Sequence, residues 1–480
     1  MFNVESSFPR GFLYSPGNTP KSIPAGFEEV PVLRGLWVDQ WLKVDSSSYL
    51  GTWVVVLGEA QFQERRRVQP SSELLKALKK GENEFFAELK YLAGRYVVLF
   101  GTGDSVRAVT DAAATRSLYY SNTPGLVASH ARLVHLGQGG GGGISDFPFR
   151  NGYPGNFTPY KDVRLLTANL VLDLRNNVTK RYWPRGPLSS SIPSSAARRS
   201  MEFASVALQN LADERSISLA LTAGFDSRLV LSAALMAGIP FQTFTYGDRH
   251  ASTEVDRAVA ADLSAMVGAT HSVPPARKPS SELSKMLDQA YYASHHKKWV
   301  AGMMESFEGP QNAIVSGNLM ELGRGHYTDV EKMGLVHTSD PQIAAKVYVK
   351  RFPKSVKHSI DKTIGFEAYL EKVSQMFSDW FDEIGGFTPD LLGGVTQFYW
   401  EHRMATWYGP AMVERDFYGE SFIPFNSHAV FEQMLGVDKE LRERNETFIA
   451  AVTLVDSRLL SIPINPSSWP SKEPFDLRRC

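Results

Sequence analysis

A short glycine-containing segment joins an apolar run to a predicted helix and carries an acidic residue where the helix opens. Residues 217–228 read ISLALTAGFDSR, with Asp226 and Ser227 at the predicted start of the helix. Small residues let a ligand approach the backbone, and the N–H groups of a helix N-terminus attract anions. Because Asp226 alone would repel phosphate, the segment predicts a phosphate loop that works with Mg²⁺. The simpler interpretation is that Asp226 caps the helix.

Three further segments follow this loop. Residues 244–248 read FTYGD, residues 253–263 read TEVDRAVAADL and lead to VGATH at 267–271, and residues 314–327 read IVSGNLMELGRGHY. In this order the segments resemble the synthetase domain of the family of asparagine synthetases, β-lactam synthetases and lasso-peptide cyclases. The loop LTAGFDS is similar to the family's S-G-G-x-D-S pyrophosphate loop, with Thr222 and Ala223 in place of the first Ser and Gly.

The resemblance implies ATP and Mg²⁺ as cofactors. It assigns Mg²⁺ to Asp226 and Glu321, where glutamate replaces the family's second aspartate as a hard oxygen ligand. The nucleotide contacts that it implies come from the loop and from two later strand ends: Leu221, Thr222, Ala223, Gly224, Asp226, Ser227, Thr245, Tyr246, Gly247, Ser316 and Gly317.

Three residues are candidates for the catalytic step. Asn318 lies where asparagine synthetases have a glutamate and β-lactam synthetases a tyrosine, so a titratable group is missing there. Glu401 lies in an aromatic stretch where β-lactam synthetases carry a glutamate, and we expect it to be the base; a surface salt bridge to Arg403 is the alternative. Arg444 is the candidate substitute for the family's C-terminal lysine, although arginine differs from lysine in geometry.

The first half resembles the glutaminase-like domain of the same family. The resemblance rests on GRYVVL at 94–99, DAAATRSLYY at 111–120, ASHARL at 128–133 and YKDVRLLTAN at 160–169. Glutamine-hydrolysing members expose an N-terminal cysteine, whereas this chain has Phe2 and its single cysteine is Cys480. We therefore expect a catalytically silent domain and an amine that does not come from glutamine.

The elements that must position these residues differ between the two halves. Short apolar runs at 51–57, 96–100 and 165–174, separated by turn residues, predict strands in the first half. Beyond a proline- and serine-rich stretch at 181–200, predicted helices at 200–212 and 228–237 alternate with predicted strands at 217–221 and 241–246. This alternation predicts a parallel sheet covered on both faces, and residues from about 280 onward favour helix.

The expected fold is therefore an α+β domain followed by an α/β domain. The first, residues 1–185, is predicted to be a glutaminase-like (Ntn-hydrolase-like) sandwich. The second, residues 186–480, is predicted to be a Rossmann-like ATP-pyrophosphatase domain with helical additions. A chain of 480 residues is long enough for two such cores.

The charge balance and the composition of the chain narrow the classes of binding partner. Lys plus Arg equals Asp plus Glu at 51 each, which argues against a dedicated nucleic-acid or membrane-surface binder. No apolar run is long enough to span a bilayer, and the N-terminal residues do not read as a signal peptide. We expect a cytoplasmic protein, with a homodimer allowed, that acts on small-molecule or peptide carboxylates and amines.

The predicted reaction is the attack of a carboxylate on ATP to give an acyl-adenylate and pyrophosphate, followed by attack of an amine to give an amide and AMP. One alternative is a catalytically lapsed relative that binds MgATP or acts as a scaffold. Another is sulfur transfer or nucleotidyl transfer at the same loop.

Two other motifs are weaker indications of function. A glycine tract at 137–143 matches G-x-G-x-x-G without a strand before it and a helix after it, so we interpret it as a connector. The run HHKK at 295–298 could bind a metal or phosphate, but neighbouring residues of a helix point in different directions, so a solvated surface is favoured.

Overall fold

The structure is a computed structural model, and it describes most of the chain. The described residues are 7–17, 20–122, 124–141, 143–150, 152–247, 251–293, 296–307, 311–325, 339–350, 352–388 and 392–469.

The first half forms two antiparallel sheets. Within the described residues each sheet has six strands, in the orders β10-β8-β9-β1-β3-β2 and β12-β11-β7-β6-β5-β4. The strands are β1 Phe12–Tyr14, β2 Phe27–Glu29, β3 Leu36–Asp39, β4 Val44–Tyr49, β5 Thr52–Phe62, β6 Leu92–Thr102, β7 Ser105–Thr110, β8 Tyr119–Ser121, β9 Val127–Ala128, β10 Val163–Leu165, β11 Leu170–Asp173 and β12 Val178–Arg181.

The sequence of β5 explains why the sheets stack. Side chains alternate between the two faces of a strand, and β5 is apolar on both faces. Val55 and Leu57 enter the core that also holds Phe12 and Tyr14 of the other sheet. Val54 and Val56 pack instead with the helices α1 Pro70–Leu78 and α2 Glu82–Leu89, which cover the opposite face.

The second half contains a parallel sheet. In the described part of the chain it has five strands: β13 Ser216–Ala220, β14 Gln242–Phe244, β15 His271–Ser272, β16 Asn312–Val315 and β17 Glu420–Phe422. Their order is β15-β14-β13-β16-β17, and every neighbouring pair is parallel. The chain thus runs from β13 to one side of the sheet and returns to place β16 on the other side. Open α/β sheets bind ligands at such a switch point, beyond the carboxyl ends of the strands.

Helices make up most of the remaining chain. Those with described bounds are α3 Ala131–Gly137, α4 Pro193–Ala212, α5 Phe225–Ala237, α6 Ala251–Met266, α7 Ser281–Ala290, α8 Lys297–Ser306, α9 Pro341–Lys350, α10 Lys354–Thr363, α11 Phe366–Ile384, α12 Gly394–Gln397, α13 Gly409–Ala411, α14 His428–Leu435, α15 Lys439–Glu443 and α16 Glu446–Asp456. A π-helix spans Phe398–Tyr408, and 3₁₀ helices span Met320–Gly323, Met412–Phe417 and Ser457–Leu460.

The predicted alternation of strands and helices is observed, with shifted boundaries. The strand expected at 165–174 is two strands, β10 and β11, which belong to different sheets. Helix α4 begins at Pro193, which fits the first turn of a helix because that turn needs no N–H partner. Helix α5 ends at Gly238, whose φ of 64° is in the left-handed region that glycine tolerates.

The two halves share apolar contacts. Tyr348, Phe377 and Trp380 of α9 and α11 belong to the same core as Phe12 and Val55 of the N-terminal sheets. A division at residue 185 therefore stays a prediction, because the apolar core does not divide there. None of the helices in the described residues is long and apolar enough to cross a membrane.

Candidate active site

The candidate site lies between the loops that follow β13 and β16, at the switch point of the parallel sheet. After β13 the chain turns through residues 221–224 into α5, and after β16 it turns through residues 316–319. The two turns touch: a Cβ atom placed on Gly317 would lie 2.1 Å from the carbonyl oxygen of Asp226. Only glycine therefore fits at position 317, and Ser316 and Gly317 lie beside the first turn of α5.

Hydrogen bonds within the first loop fix its shape. The Oγ of Ser227 accepts from the Thr222 N–H at 3.1 Å and contacts the Thr222 Oγ1, also at 3.1 Å. The N–H of Ala223 donates to the Asp256 carboxylate of α6 at 2.8 Å. The carbonyl of Leu221 accepts from the Thr245 hydroxyl at 2.7 Å. The loop is thus preformed, and it is tied to the strand end that carries Thr245.

Helix α5 begins without a side-chain cap. Its N-cap residue is Gly224, and no side chain in the described part of the chain caps it. The first N–H groups of a helix have no partner within the helix, and the positive end of its dipole attracts anions. The structure is therefore compatible with phosphate at this N-terminus. Asp226 does not have the capping role of the simpler interpretation.

Asp226 faces Arg324 and Glu321 across the site. The Nη2 of Arg324 lies 3.0 Å from the Asp226 Oδ2. Asp226 Oδ1 is shielded from solvent and has no hydrogen-bond partner among the described residues. Burial, and then the charge of Glu321, raise the pKa of Asp226 to about 7, although Arg324 acts in the opposite direction. The two acidic side chains therefore interact, and Asp226 is also paired with the Arg324 guanidinium.

These residues fit Mg²⁺ only in part. Carboxylate oxygens are suitable ligands, and the unpaired Asp226 Oδ1 could take one cation bond. No cluster of three or more His, Cys, Asp or Glu side chains that could hold a metal occurs in the described ranges. Mg²⁺ is commonly bound by one or two carboxylates together with substrate phosphates. Asp226 and Glu321 would therefore hold it in combination with phosphate.

The loop after β16 is joined to an arginine that the sequence analysis did not identify. Arg415, in the 3₁₀ helix Met412–Phe417, donates from Nη1 to the Ser316 Oγ at 3.1 Å. Its Nη2 lies 3.5 Å from the Asn318 Oδ1, a long contact. Arg415 thus brings a positive charge to the loop that carries Ser316 and Asn318.

Aromatic rings lie at the carboxyl end of β14. Tyr246 stacks on Trp299 with ring centroids 4.8 Å apart, and Trp299 stacks on His296 at 5.0 Å. His296 Nδ1 lies 2.9 Å from the Glu414 carboxylate. The described residues of the HHKK run agree with the predicted solvated surface, since His296 is 44% exposed although paired and Lys298 is exposed; His295 lies outside the described residues. Gly247 pairs with Pro275, which fixes the backbone beyond the strand.

Tyr408, the last residue of the π-helix, brings a second group that the sequence analysis did not identify. Burial raises the pKa of Tyr408 to about 12, while the charge of Arg415 and the Ser316 hydroxyl act to lower it. Its hydroxyl is shielded from solvent and has no partner in hydrogen-bonding geometry among the described residues. A phenol with this pKa stays protonated at neutral pH, so its hydroxyl can donate a hydrogen bond and can also accept one. π-Helical segments often occur at functional sites.

Glu401 lies elsewhere, and the expectation that it is the base is not supported by its contacts. Its carboxylate, which is 1% exposed, accepts from both Nη atoms of Arg181 and from the Asn169 amide at 2.8 Å. The alternative partner was also wrong, because Arg403 stacks over Trp407 at 3.8 Å instead. Glu401 is half of a buried ion pair between the two halves of the chain, and we leave it out of the proposed chemistry.

Arg444 is also not brought to the site by any contact that the structure shows. Its side chain is 67% exposed, and its guanidinium lies 3.9 Å from Glu440 of the preceding turn. The other residues named in the sequence analysis that lie outside the described residues are Phe2, Asp248, His326, Tyr327 and Cys480.

Sequence reasoning missed Arg324, Arg415, Tyr408 and Asp256 for a common reason. Each belongs to the site through a contact between segments that are far apart in the chain, such as residues 226 and 324 or 316 and 415. Two of them, Arg324 and Asp256, lay inside segments that carried the resemblance, at 314–327 and 253–263. The charge of Arg324 within a predicted cation site was an available signal.

Comparisons with known proteins add little. No family model matches the chain, and no similar sequence is found among curated proteins. Similar solved structures include a glutamine phosphoribosylpyrophosphate amidotransferase from B. subtilis complexed with ADP and GMP, at 10% identity over 65% of this chain and 70% of that chain, with a TM-score of 0.25. Another is a glutamine-dependent NAD⁺ synthetase from Acinetobacter baumannii in complex with ADP, at 13% identity over 48% of this chain and 56% of that chain, with a TM-score of 0.19. Likenesses this weak carry no argument about activity.

Proposed function

We propose that this protein is an ATP-dependent synthetase that activates a carboxylate as an acyl-adenylate and joins it to an amine. The observation that carries the proposal is the juxtaposition of Asp226 and Glu321 at the uncapped N-terminus of α5, on the switch point of a parallel sheet. This arrangement combines a phosphate-binding helix end with two oxygen ligands for a hard cation.

Different parts of the site have different roles in the proposed reaction. The loop at 221–224 and the first turn of α5 hold the β- and γ-phosphates through N–H groups, so that pyrophosphate leaves as one unit. The backbone at Thr245, Tyr246 and Gly247 lies beside the nucleoside. Mg²⁺, when bound to Asp226 and Glu321, would neutralise phosphate charge.

Arg415 and Tyr408 are the proposed groups for the charge that develops at the reacting carbonyl and phosphate. Preorganised donors aimed at developing negative charge are among the strongest contributions to catalysis. Arg415 is tied to Ser316, and the Tyr408 hydroxyl is a protonated donor close to both residues. In this proposal Arg415 replaces Arg444 as the substitute for the family lysine.

The proposed domain types and the proposed reaction are those that the sequence resemblance implies. We propose that the two antiparallel sheets form a glutaminase-like sandwich and that the parallel sheet forms an ATP-pyrophosphatase-type domain. The substrates are a small-molecule or peptide carboxylate and an amine, and the product is an amide, lactam or macrolactam. The reaction consumes ATP and releases pyrophosphate in the first step and AMP in the second.

A second candidate function is supported by two specific contacts. Arg324 pairs with the Asp226 carboxylate, and Asp256 occupies the Ala223 N–H. Both contacts use groups that MgATP would need, so a lapsed relative that acts as a scaffold is the alternative. It predicts that MgATP binds without release of AMP or pyrophosphate, whichever carboxylate and amine are supplied.

Product analysis tests the proposed function. Purified protein incubated with labelled ATP, Mg²⁺ and a panel of carboxylates and amines is expected to release AMP and pyrophosphate only with the correct pair. Asp226→Asn should remove this release while leaving the circular dichroism spectrum unchanged. Release of ADP and phosphate would contradict the proposal.

A further inference from the structure

Three consecutive charged residues of the 3₁₀ helix Met412–Phe417 point at three different parts of the molecule. A 3₁₀ helix has three residues per turn, so successive side chains are about 120° apart. Glu414 faces His296, Arg415 faces Ser316 in the candidate site, and Asp416 faces Arg95 of β6. The direction of Arg415 is therefore coupled to the anchoring of its two neighbours.

Asp416 is held by two arginines of the N-terminal half. Both Nη atoms of Arg95 donate to its carboxylate, with Nη2 to Oδ2 at 3.0 Å, and each of these side chains is 1% exposed. The Arg95 Nε donates to the carbonyl of Thr115 at 3.0 Å, so the guanidinium is itself fixed. Arg10 donates from Nη1 to the backbone carbonyl of Asp416 at 2.6 Å. Residues of the N-terminal half thus fix both the side chain and the backbone of Asp416.

Ser316, the partner of Arg415, is anchored in a similar way through the neighbouring strand β17. Glu420 opens β17, and its carboxylate contacts Arg10 at 3.1 Å and Arg116 at 3.0 Å. Strand β17 pairs with β16, and the N–H of Ser316 donates to the Phe422 carbonyl at 3.2 Å. Arginines of the N-terminal half therefore support both segments that form the Arg415–Ser316 contact.

A buried ion network of this kind is better explained by geometry than by stability. Desolvation of two charges costs about as much as their attraction returns, and apolar side chains of similar size often stabilise a protein as well. A bidentate arginine–carboxylate pair, by contrast, fixes both distance and orientation. Arg415 has a long side chain with many rotamers, so it gains most from a backbone that cannot turn.

We propose that Arg95 is a positioning residue for the candidate site: through Asp416 it sets the direction of Arg415. This inference rests on the proposed function, and it gives the N-terminal half a role that does not require glutamine hydrolysis. Arg10 and Arg116 support the same arrangement from Glu420.

The test compares Arg95 with a matched arginine. Arg95→Lys keeps a charge next to Asp416 but loses the bidentate geometry, and Arg95→Met removes the charge. The control is Arg181→Met, since Arg181 forms another buried pair between the two halves, donating from both Nη atoms to the Glu401 carboxylate, and its hydrogen bonds within the described residues do not reach the 3₁₀ helix Met412–Phe417. Steady-state constants for pyrophosphate exchange are measured for each variant alone and combined with Arg415→Met.

We expect R95K and R95M to raise the KM for ATP or lower kcat by roughly tenfold, with R181M within about twofold of the natural chain. In the R415M background, R95M should have no further effect, because the two residues act through the same contact. Full additivity of R95M and R415M, or equal losses in R95M and R181M, would overturn the inference.

A second measurement separates this inference from the proposed function. Hydrogen–deuterium exchange of amides 412–419 needs neither ATP nor turnover, and it should be faster in R95K than in R181M or the natural chain. Unchanged exchange in R95K would overturn the positioning role. Absence of pyrophosphate exchange in the natural chain, with faster amide exchange in R95K, would contradict the proposed function alone.

Discussion

Asp226 is the residue on which burial, charge and ligand chemistry converge. Its carboxylate is close enough to Glu321 for burial and that charge to raise its pKa from 3.8 to about 7. A folded-state pKa above the unfolded value means that the folded chain keeps a proton between about pH 4 and pH 7 that the unfolded chain has lost. The resulting stability is fully present below about pH 4 and is lost as the pH rises through about 7.

The first prediction concerns pH. Metal binding requires the ionised carboxylate, so the affinity for MgATP should rise as the pH increases from 6 to 8, by up to about tenfold per unit below the pKa. Asp226→Asn is the control for titration of the nucleotide's own phosphates near pH 6. The variant should also melt higher than the natural chain at pH 8, by about 2 °C or more, and the difference should shrink at pH 5. Equal pH profiles for the two proteins would show that Asp226 does not titrate in this range.

The second prediction concerns the Tyr408 hydroxyl. Because it makes no hydrogen bond of good geometry within the described residues, although the Ser316 hydroxyl lies close enough to lower its pKa, its removal in Tyr408→Phe should change the melting temperature little. The rate of adenylation should nevertheless fall roughly tenfold or more, the value of a hydrogen bond to a charged group. Tyr153→Phe is the matched control, since its hydroxyl is also buried without a partner but lies outside the candidate site. Equal rates for the two variants would assign Tyr408 a packing role only.

At the scale of elements, α5 connects the candidate site to the end of the described chain. Arg228 is buried in this helix and donates to the carbonyls of Leu459, Ile462 and Pro463 at 2.6–2.8 Å, and to the carbonyl of Ala223 at 3.2 Å. The N–H of Asn465 donates to the same Ala223 carbonyl at 3.1 Å. The segment after α16 is thereby fastened to the phosphate loop.

The third prediction follows from this clamp. Arg228→Leu removes the donor of the Leu459, Ile462 and Pro463 carbonyls and one of two donors to the Ala223 carbonyl, so it should lower the free energy of unfolding by about 3 kcal/mol or more. Limited proteolysis should then cut within residues 457–469, and the affinity for ATP should fall with the loss of the loop's support. Arg228→Lys, which keeps a charge but fewer donors, should be intermediate. A variant R228L with natural stability and natural protease resistance would contradict the clamp.

The elements show where sequence reasoning succeeds and where it stops. The strand β13, the helix α5 and the stop at Gly238 are predictable because the apolar period and the turn residues are local. The segment at 165–174 was wrong as one strand, because the positive φ of 70° at Asn169 separates β10 from β11 and no local pattern marks that turn. The pairing of Glu401 with Arg181, 220 residues away, could likewise not be predicted from a local sequence pattern.

At the scale of the whole molecule, the two halves are joined by a shared core and by buried ion pairs. Helices α9 and α11 belong to the second half, yet Tyr348, Tyr369 and Trp380 are buried with the N-terminal sheets. Arg10, Arg95 and Arg116 reach in the opposite direction, to Asp416 and Glu420. Composition shifts suggested a division near residue 185, but they carry no information about which side chains cross it.

The fourth prediction concerns truncation. Residues 186–480 produced alone should be insoluble or aggregated, because the large aromatic side chains of α9 and α11 would be exposed as an apolar patch. Co-production of residues 1–185 should restore solubility if the halves assemble. A monomeric and cooperatively melting fragment of residues 186–480 would show that the shared core is dispensable.

Pyrophosphate exchange tests the central claim, that the site activates a carboxylate with ATP, most directly. Labelled pyrophosphate is supplied with ATP, Mg²⁺ and a panel of carboxylates, without an amine, and its incorporation into ATP is measured for the natural chain and for Asp226→Asn. An adenylating site predicts exchange that depends on one class of carboxylate, is lost in D226N, and persists when the amine is omitted. Exchange that is absent with every carboxylate although MgATP binds, or exchange that is unchanged in D226N, would contradict it.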